Sequence, residues 1–270
     1  MKGILKHDLY SGIYCLITKI LTFGLIFFVA GIMAINQAKI YGIENLSLLE
    51  NLTYVFYGCK PFINSAAEGE VFRMPVIWMV IQLYLAYIIG GYPLNDMNKY
   101  GINLLVRTKS RTKWWMGKVI WGVLITVVAY VMGYLVILLL TLVIGGDIGG
   151  IRPEAAILYN DDFSIFNNEQ MFFMVFLFPM ITSISVSVLQ MTVMFLFNEV
   201  IAYGMVGFLC VAGAFYESPF LLSSNSMTAR SINMVSNNSY EMVVSGTFIL
   251  IIISIVIGTI KIKKKNIYDN

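Results

Sequence analysis

Val119–Ile144 reads VIWGVLITVVAYVMGYLVILLLTLVI, an apolar run without a charged residue, stopped by Gly145-Gly146-Asp147. A helix of about 20 such residues crosses the roughly 30 Å hydrocarbon core of a bilayer. This stretch therefore decides the fold class, an all-α integral membrane protein. Stretches of the same character on either side predict further spans at about 20–35, 74–92, 171–197, 201–215 and 242–260, giving six transmembrane helices with Val119–Ile144 as the third. Pro75 suits the first turn of the second span and Pro93 its end. Pro179 falls inside the fourth span and predicts a kink, which a neighbouring helix makes tolerable by satisfying the freed carbonyl. Only Asn198 and Glu199 separate the fourth and fifth spans, so those two should form a tight hairpin. Ahead of the first span, Ile4, Leu5, Leu9, Ile13, Leu16 and Ile17 recur at helical spacing with Lys2, Lys6 and Asp8 between them. That pattern predicts an amphipathic interfacial helix over 1–19, with a helical extension of the first span as the other reading.

Composition agrees. Of 270 residues, 59% are hydrophobic and 12% charged, against roughly 25% charged in a soluble domain. A single transmembrane domain over 1–270 accounts for the whole length. The N-terminal stretch does not read as a secretory signal peptide, because its apolar run is too long and Asp8 precedes it. Cys15, Cys59 and Cys210 are far apart and form neither a metal-ligand spacing nor a disulfide framework.

The charges set an orientation. Lys99, Arg107, Lys109, Arg111, Lys113 and Lys118 lie between the second and third spans against Asp96. Lys261, Lys263, Lys264 and Lys265 follow the last span, and Lys2, Lys6 and Lys19 precede or open the first. The segment 146–170, by contrast, sets Arg152 against Asp147, Glu154, Asp161, Asp162 and Glu169. Basic loops stay in the cytoplasm. With six spans every basic segment falls on one side, so both termini are expected in the cytoplasm of a multi-pass plasma-membrane protein. The outer side then carries two longer segments, 36–73 and 216–241.

Several chemistries have no residues to support them. His7 is the one histidine, so a Ser-His hydrolase or a histidine-ligated metal site at membrane depth is not expected. No Gly-rich phosphate loop ending in Gly-Lys-Ser/Thr is present. The expected spans contain no acidic side chain for ion coupling. Nothing points to nucleic acid, and no catalytic residue, metal or cofactor is expected on this chain.

The most distinctive stretch is Leu94–Lys118, LNDMNKYGINLLVRTKSRTKWWMGK, between the second and third spans. Its basic cluster can serve topology and lipid headgroups alone, and Trp114-Trp115 suits the aromatic belt as an interfacial anchor. The order Lys109-Ser110-Arg111-Thr112-Lys113-Trp114-Trp115-Met116-Gly117-Lys118 followed by an apolar span resembles the same region of bacterial ABC-2 type transporter permeases. The interfacial helix, the joined fourth and fifth spans and the outer segment before the sixth are similar along nearly the whole chain. The resemblance implies a half-transporter that pairs with a second permease chain, identical or different. It implies docking on a cytoplasmic ABC ATPase subunit, which would bind ATP and Mg. The coupling residues it implies are Asn103, Arg107, Thr108, Lys109, Ser110, Arg111 and Lys113 in the loop 94–118, with Asn198 and Glu199 at the turn. The cargo expected is an amphipathic peptide, bacteriocin- or toxin-like, or a lipid-linked molecule, exported by the partner's ATP hydrolysis.

Gln82, Ser183, Ser187 and Gln190 bring polar groups to membrane depth. They are candidates for a transport pathway, with helix packing through small residues as the competing reading. A secondary transporter, or a non-transporting immunity or assembly protein, remains the alternative function.

Overall fold

The fold is that of a computed structural model of the chain, which describes residues 2–60, 62, 72–96, 110–159, 163, 166–216, 218, 221–230 and 240–264. The described residues contain helices and turns but no strand. The helices are α1 Lys2–Ile40, α2 Leu48–Phe56, α3 Val76–Ile89, α4 Tyr92–Asp96, α5 Arg111–Ile144, α6 Ala156–Tyr159, α7 Asn168–Phe172, α8 Phe178–Leu196, α9 Glu199–Phe215 and α10 Tyr240–Lys264. Among the described residues, five runs are long and apolar enough to cross a membrane: Leu16–Ile40, Val76–Leu94, Arg111–Ile144, Glu169–Leu196 and Glu241–Lys264. The stretch read as the fifth span is α9, a shorter apolar helix of 17 residues. At 1.5 Å per residue it is about 25 Å long.

Apolar side chains cover the outside as well as the inside. Leu21, Leu25 and Phe28 on α1, Val128, Leu135 and Leu139 on α5, and Phe248, Ile252 and Val256 on α10 are all exposed. Water does not tolerate so continuous an apolar surface, whereas lipid does. The five helices therefore fit a multi-pass membrane protein.

Three boundaries differ from the sequence reading. The interfacial helix at 1–19 and the span at 20–35 are one uninterrupted helix of 39 residues, about 58 Å long. No proline or turn separates them, and Lys19 is absorbed by lying over the Tyr87 ring, 4.1 Å from its centre. The side chains of the amphipathic pattern before Leu16, with His7 and Cys15, lie outside the described residues. Second, α5 begins at Arg111, capped by Ser110, whose Oγ accepts the Lys113 N–H at 3.5 Å. The basic Trp-Trp stretch read as loop is thus the first two turns of the third span, and the chain between α4 and α5 narrows to 97–110. Third, Pro179 sits near the start of α8, directly after a π-helical turn, Phe173–Leu177. A proline cannot donate to the preceding turn and crowds it, and the wider turn relieves both problems. The Tyr134 hydroxyl on α5 donates to the Phe176 carbonyl at 2.7 Å, so a neighbouring helix does satisfy a carbonyl at this point.

α5 is the central helix, packed against α1, α8, α10, α2 and α3. Phe23 and Phe27 of α1, Phe56 of α2 and Tyr130 and Tyr134 of α5 form its aromatic core, with Phe56 stacked on Tyr130 at 6.0 Å between centroids. Gly133 lets α1 approach: a Cβ there would lie 2.9 Å from the Phe27 ring. α3 and α9 run antiparallel, with Gly90 at the end of α3 beside Tyr203 near the start of α9.

The helices alternate between a basic end, where Arg111 donates to the Lys263 carbonyl at 2.7 Å, and an opposite end. At the opposite end, α2 is stitched to the segment after α5. Glu50 is fully buried and closes a capping box with Ser47. Its Oε1 accepts the Arg152 N–H and Nε at 2.8 and 3.0 Å, and its Oε2 accepts an Arg152 terminal nitrogen at 2.8 Å. Leu48 N–H donates to the Asp147 carbonyl at 2.8 Å, and Ser47 Oγ to Gly150 at 3.1 Å. Gly145 ends α5 with φ +79°, the left-handed cap that glycine adopts without strain.

Burial pushes the Glu50 carboxyl up, but hydrogen bonds from Arg152 and from the Ser47 and Arg152 backbone N–H groups more than offset it and bring it below the ordinary value. A carboxyl depressed on folding stabilises the fold above its unfolded pKa of about 4.3 and loses that contribution as pH falls through the folded value. Thermal unfolding of the detergent-purified protein should therefore show stability falling below about pH 4.3, and Glu50→Gln should flatten that fall. Arg152→Ala should cost about 2 kcal/mol at neutral pH, less than a fully buried pair because the Arg152 side chain is 39% exposed.

Candidate functional site in the polar interior and at the basic end

Polar side chains meet in the middle of the bundle. Gln82 on α3, Tyr130 on α5 and Ser183 on α8 form a closed ring of hydrogen bonds. Tyr130 and Ser183 hydroxyls are 2.6 Å apart, Ser183 Oγ donates to Gln82 Oε1 at 3.0 Å, and Gln82 Nε2 donates to the Tyr130 hydroxyl at 3.4 Å. Ser187, one turn further along α8, returns its hydroxyl to the Ser183 carbonyl at 2.7 Å and lies 3.4 Å from Thr126 Oγ1. Gln190 donates to the Ala86 carbonyl of α3 at 3.1 Å. Thus the structure brings Gln82, Ser183 and Ser187 into one network, and seats Gln190 beside it on the same two helices. All four are buried. Thr182, Ser185 and Thr192 return their hydroxyls to carbonyls of α8.

Composition alone hides a further part of this network. The chain after α9 dips back into the bundle as a 3-10 turn, Leu222–Ser226. Ser226 Oγ accepts from Trp78 Nε1 at 2.7 Å and from Gln82 Nε2 at 3.3 Å, and Ser223 Oγ donates to the Leu209 carbonyl of α9 at 2.6 Å. Arg230, fully buried, donates to the Cys59 carbonyl at 2.8 Å and to the Gly213 and Ala214 carbonyls at 3.3 and 3.0 Å. A guanidinium there satisfies the last carbonyls of α9 and its negative dipole end. Cys59 and Cys210 are free, buried thiols.

Of the expected coupling residues, Ser110, Arg111, Lys113, Asn198 and Glu199 are among the described residues. Asn103, Arg107, Thr108 and Lys109 lie outside the described residues. Ser110 caps α5, Arg111 reaches α10 and Lys113 is exposed. Asn198 caps α9, its Oδ1 accepting the Ile201 N–H at 2.8 Å, and Glu199 sits in that helix's first turn, where a carboxylate suits the dipole. The interfacial-anchor reading of Trp114 and Trp115 does not stand. Both are fully buried and meet Phe195 of α8 edge-on at 5.6 and 5.0 Å. Trp115 Nε1 donates to the Ile255 carbonyl of α10 at 3.2 Å, and Gly258 makes room, since a Cβ there would lie 2.3 Å from the indole. Because α5 begins at Arg111, the pair belongs to a packed helix and faces protein.

Charge counting also misses an ion pair. Lys118, on α5, and Asp96, the last residue of α4, lie 2.6 Å apart with side chains 0% and 5% exposed. Tyr92 stacks on Trp121 at 3.9 Å, and the Lys118 ammonium lies 4.7 Å from the Tyr92 ring centre and 5.4 Å from that of Trp114. The sequence signal was present as Asp96 and Lys118 flanking the basic loop, but a charge beside a span reads first as topology.

These features define a multi-pass helical membrane protein with a sealed polar interior and a buried ion pair at its basic end. Within that class, the chain belongs to the family described as Protein of unknown function (DUF2705), which matches residues 59–268. No curated protein and no solved structure matches the chain.

Ser183→Ala opens the hydrogen-bond ring and strands Gln82 Oε1 in a site without water. It should lower stability by about 0.5–2 kcal/mol. Ser185→Ala, which removes only a bond within α8, should be near neutral in the same thermal unfolding series.

Proposed function

We propose that this chain is the membrane-spanning subunit of an ATP-driven exporter, an ABC-2 type permease energised by a separate cytoplasmic ATPase. One observation carries the reading: α5 starts at Arg111 at the end of the bundle where Arg111 meets the tail of α10, and the sequence just before it is strongly basic, with Lys99, Arg107 and Lys109. A loop so placed offers an ATPase a grip at the junction of several helices. The sequence holds no phosphate loop, so ATP and Mg belong to the partner. In this reading the basic end is cytoplasmic, both termini lie inside, and the protein resides in the plasma membrane of a bacterium. α9 is then a short fifth span that brings the count to six, and a locally thinned bilayer accommodates its length.

The cargo is an amphipathic peptide of bacteriocin or toxin type, or a lipid-linked molecule, in keeping with outward faces rich in Ile, Val, Leu and Phe. Gln82, Ser183 and Ser187 bond to one another within one chain, which favours a route formed between two permease chains over one through this chain alone. The same closed interior is the observation that favours the alternative, a non-transporting immunity or assembly protein.

Two experiments test this. In cells, a single cysteine at Glu199 or Lys264 should be labelled only from the cytoplasm and one at Tyr216 only from outside; cytoplasmic labelling of Tyr216→Cys sinks the six-span topology. Purified under mild conditions, the protein should carry an ATP-binding chain. Replacing Arg107, Lys109 and Lys113 by Gln should weaken that association by about tenfold or more, equivalent to roughly 1.4 kcal/mol. A preparation without any ATP-binding chain leaves the immunity or assembly reading in its place.

A further inference from the structure

The two longest helices, α1 and α5, end side by side at Ile40 and Ile144, at the end of the bundle away from Arg111. Between their ends lies an open cavity of about 430 Å³. Ile35, Ala38, Ile43 and Ile144 form its apolar wall, and Lys39, Glu44 and Asn45 its polar side. Lys39 and Glu44 are exposed, and neither has an ion-pair partner among the described residues. The polar side is held from behind. The Ile43 N–H turns back to the Ala38 carbonyl at 2.9 Å, and Arg152 donates to the Glu44 and Asn45 carbonyls at 3.4 and 2.8 Å. The Leu46 backbone presses so closely on Gly146 that no Cβ fits there. Asn45 is the one non-glycine residue with a left-handed φ, +53°, among the described residues, a conformation that asparagine tolerates. A cavity fixed in this way binds with little ordering cost.

Depth and charge say what the cavity fits. Ile40 and Val143, next in sequence to two of its lining residues, are 75% and 84% exposed, so its apolar wall continues into the lipid-facing surface. Two apolar runs stop here, which puts the cavity at the level of the lipid head groups. The C-terminal ends of α1 and α5 border it, each with roughly half a negative charge. Together with the Glu44 carboxylate they outweigh Lys39, while Arg152 is neutralised by Glu50. A purely anionic head group therefore meets net repulsion. A head group with an ammonium and a phosphate on one short linker matches both signs. Its ammonium sits at Glu44 and the helix ends, its phosphate at Lys39, and an acyl chain follows the apolar wall. We propose that this cavity binds an aminophospholipid of the phosphatidylethanolamine kind, in the leaflet at the end of the bundle opposite the basic end. The site depends only on the protein's lying in a membrane, not on the exporter reading.

The test titrates the full chain in detergent with phosphatidylethanolamine or phosphatidylglycerol of identical acyl chains and reads the bound lipid by native mass spectrometry. The wild type should retain phosphatidylethanolamine at a concentration about threefold or more below that needed for phosphatidylglycerol. Glu44→Gln removes the partner of the ammonium. It should weaken phosphatidylethanolamine by about threefold and leave phosphatidylglycerol as tight or tighter, whereas Glu44→Asp, which keeps the charge, should keep the preference. Lys39→Gln removes the partner of the phosphate and should weaken both lipids. Both side chains are exposed, so thermal unfolding of the three variants should match the wild type. Equal or stronger retention of phosphatidylglycerol by the wild type overturns the proposal, and so does a lipid preference that Glu44→Gln leaves unchanged.

Discussion

The hydrocarbon interior of a bilayer offers no water, so each polar group inside this bundle must find its partner on the protein itself. Most of the structure's particular contacts answer that one constraint. Gln82 has four hydrogen-bonding positions and meets three of them with Ser183, Tyr130 and Ser226 from three different parts of the chain. Within the π-turn before Pro179, the Phe176 carbonyl accepts from the Tyr134 hydroxyl of α5. The last carbonyls of α9 are met by Arg230 and the Cys59 thiol. Each solution draws two or more helices together, so the satisfaction of polar groups and the packing of the bundle are one process.

α5 is the helix on which these solutions converge. It supplies Tyr130 and Thr126 to the interior, Tyr134 to the π-turn, Trp115 to α10 and Lys118 to the ion pair. Its glycines Gly122 and Gly133 lie where Met191 and Phe27 come too near for a Cβ. Close approach of backbones is what holds membrane helices together where lipid is as apolar as the side chains. A single helix that makes both kinds of contact cannot move without its neighbours.

The apolar runs were legible in the sequence because hydropathy measures what lipid selects, and five of them reappear as helices long enough to cross a membrane. Hydropathy marks where a helix meets lipid but not where the helix starts. For that reason the first turns of α5, rich in Arg and Lys, read as loop although Ser110 caps them, and residues 1–19 read as a separate element although nothing interrupts α1. The outer segment 216–241 was legible only as a length of chain between spans; that Ser223, Ser224, Asn225, Ser226 and Arg230 within it are buried was not. Gln82, Ser183 and Ser187 could be singled out because polar groups in a span are costly. Their partners Trp78 and Ser226 could not, since an indole in an apolar run looks like any other large side chain.

Asp96 and Lys118 show where charge statistics and structure part company. A rule that counts Lys and Arg works because most charges beside a span stay in water, and it treats them as interchangeable. Burial removes that equivalence. Lys113 is exposed and serves the count. Lys118, five residues along the same helix, is sealed among aromatic rings and has a partner at 2.6 Å. The two lysines thus differ in setting: the exposed one lies on the surface of the basic end, and the buried one ties α5 to the end of α4.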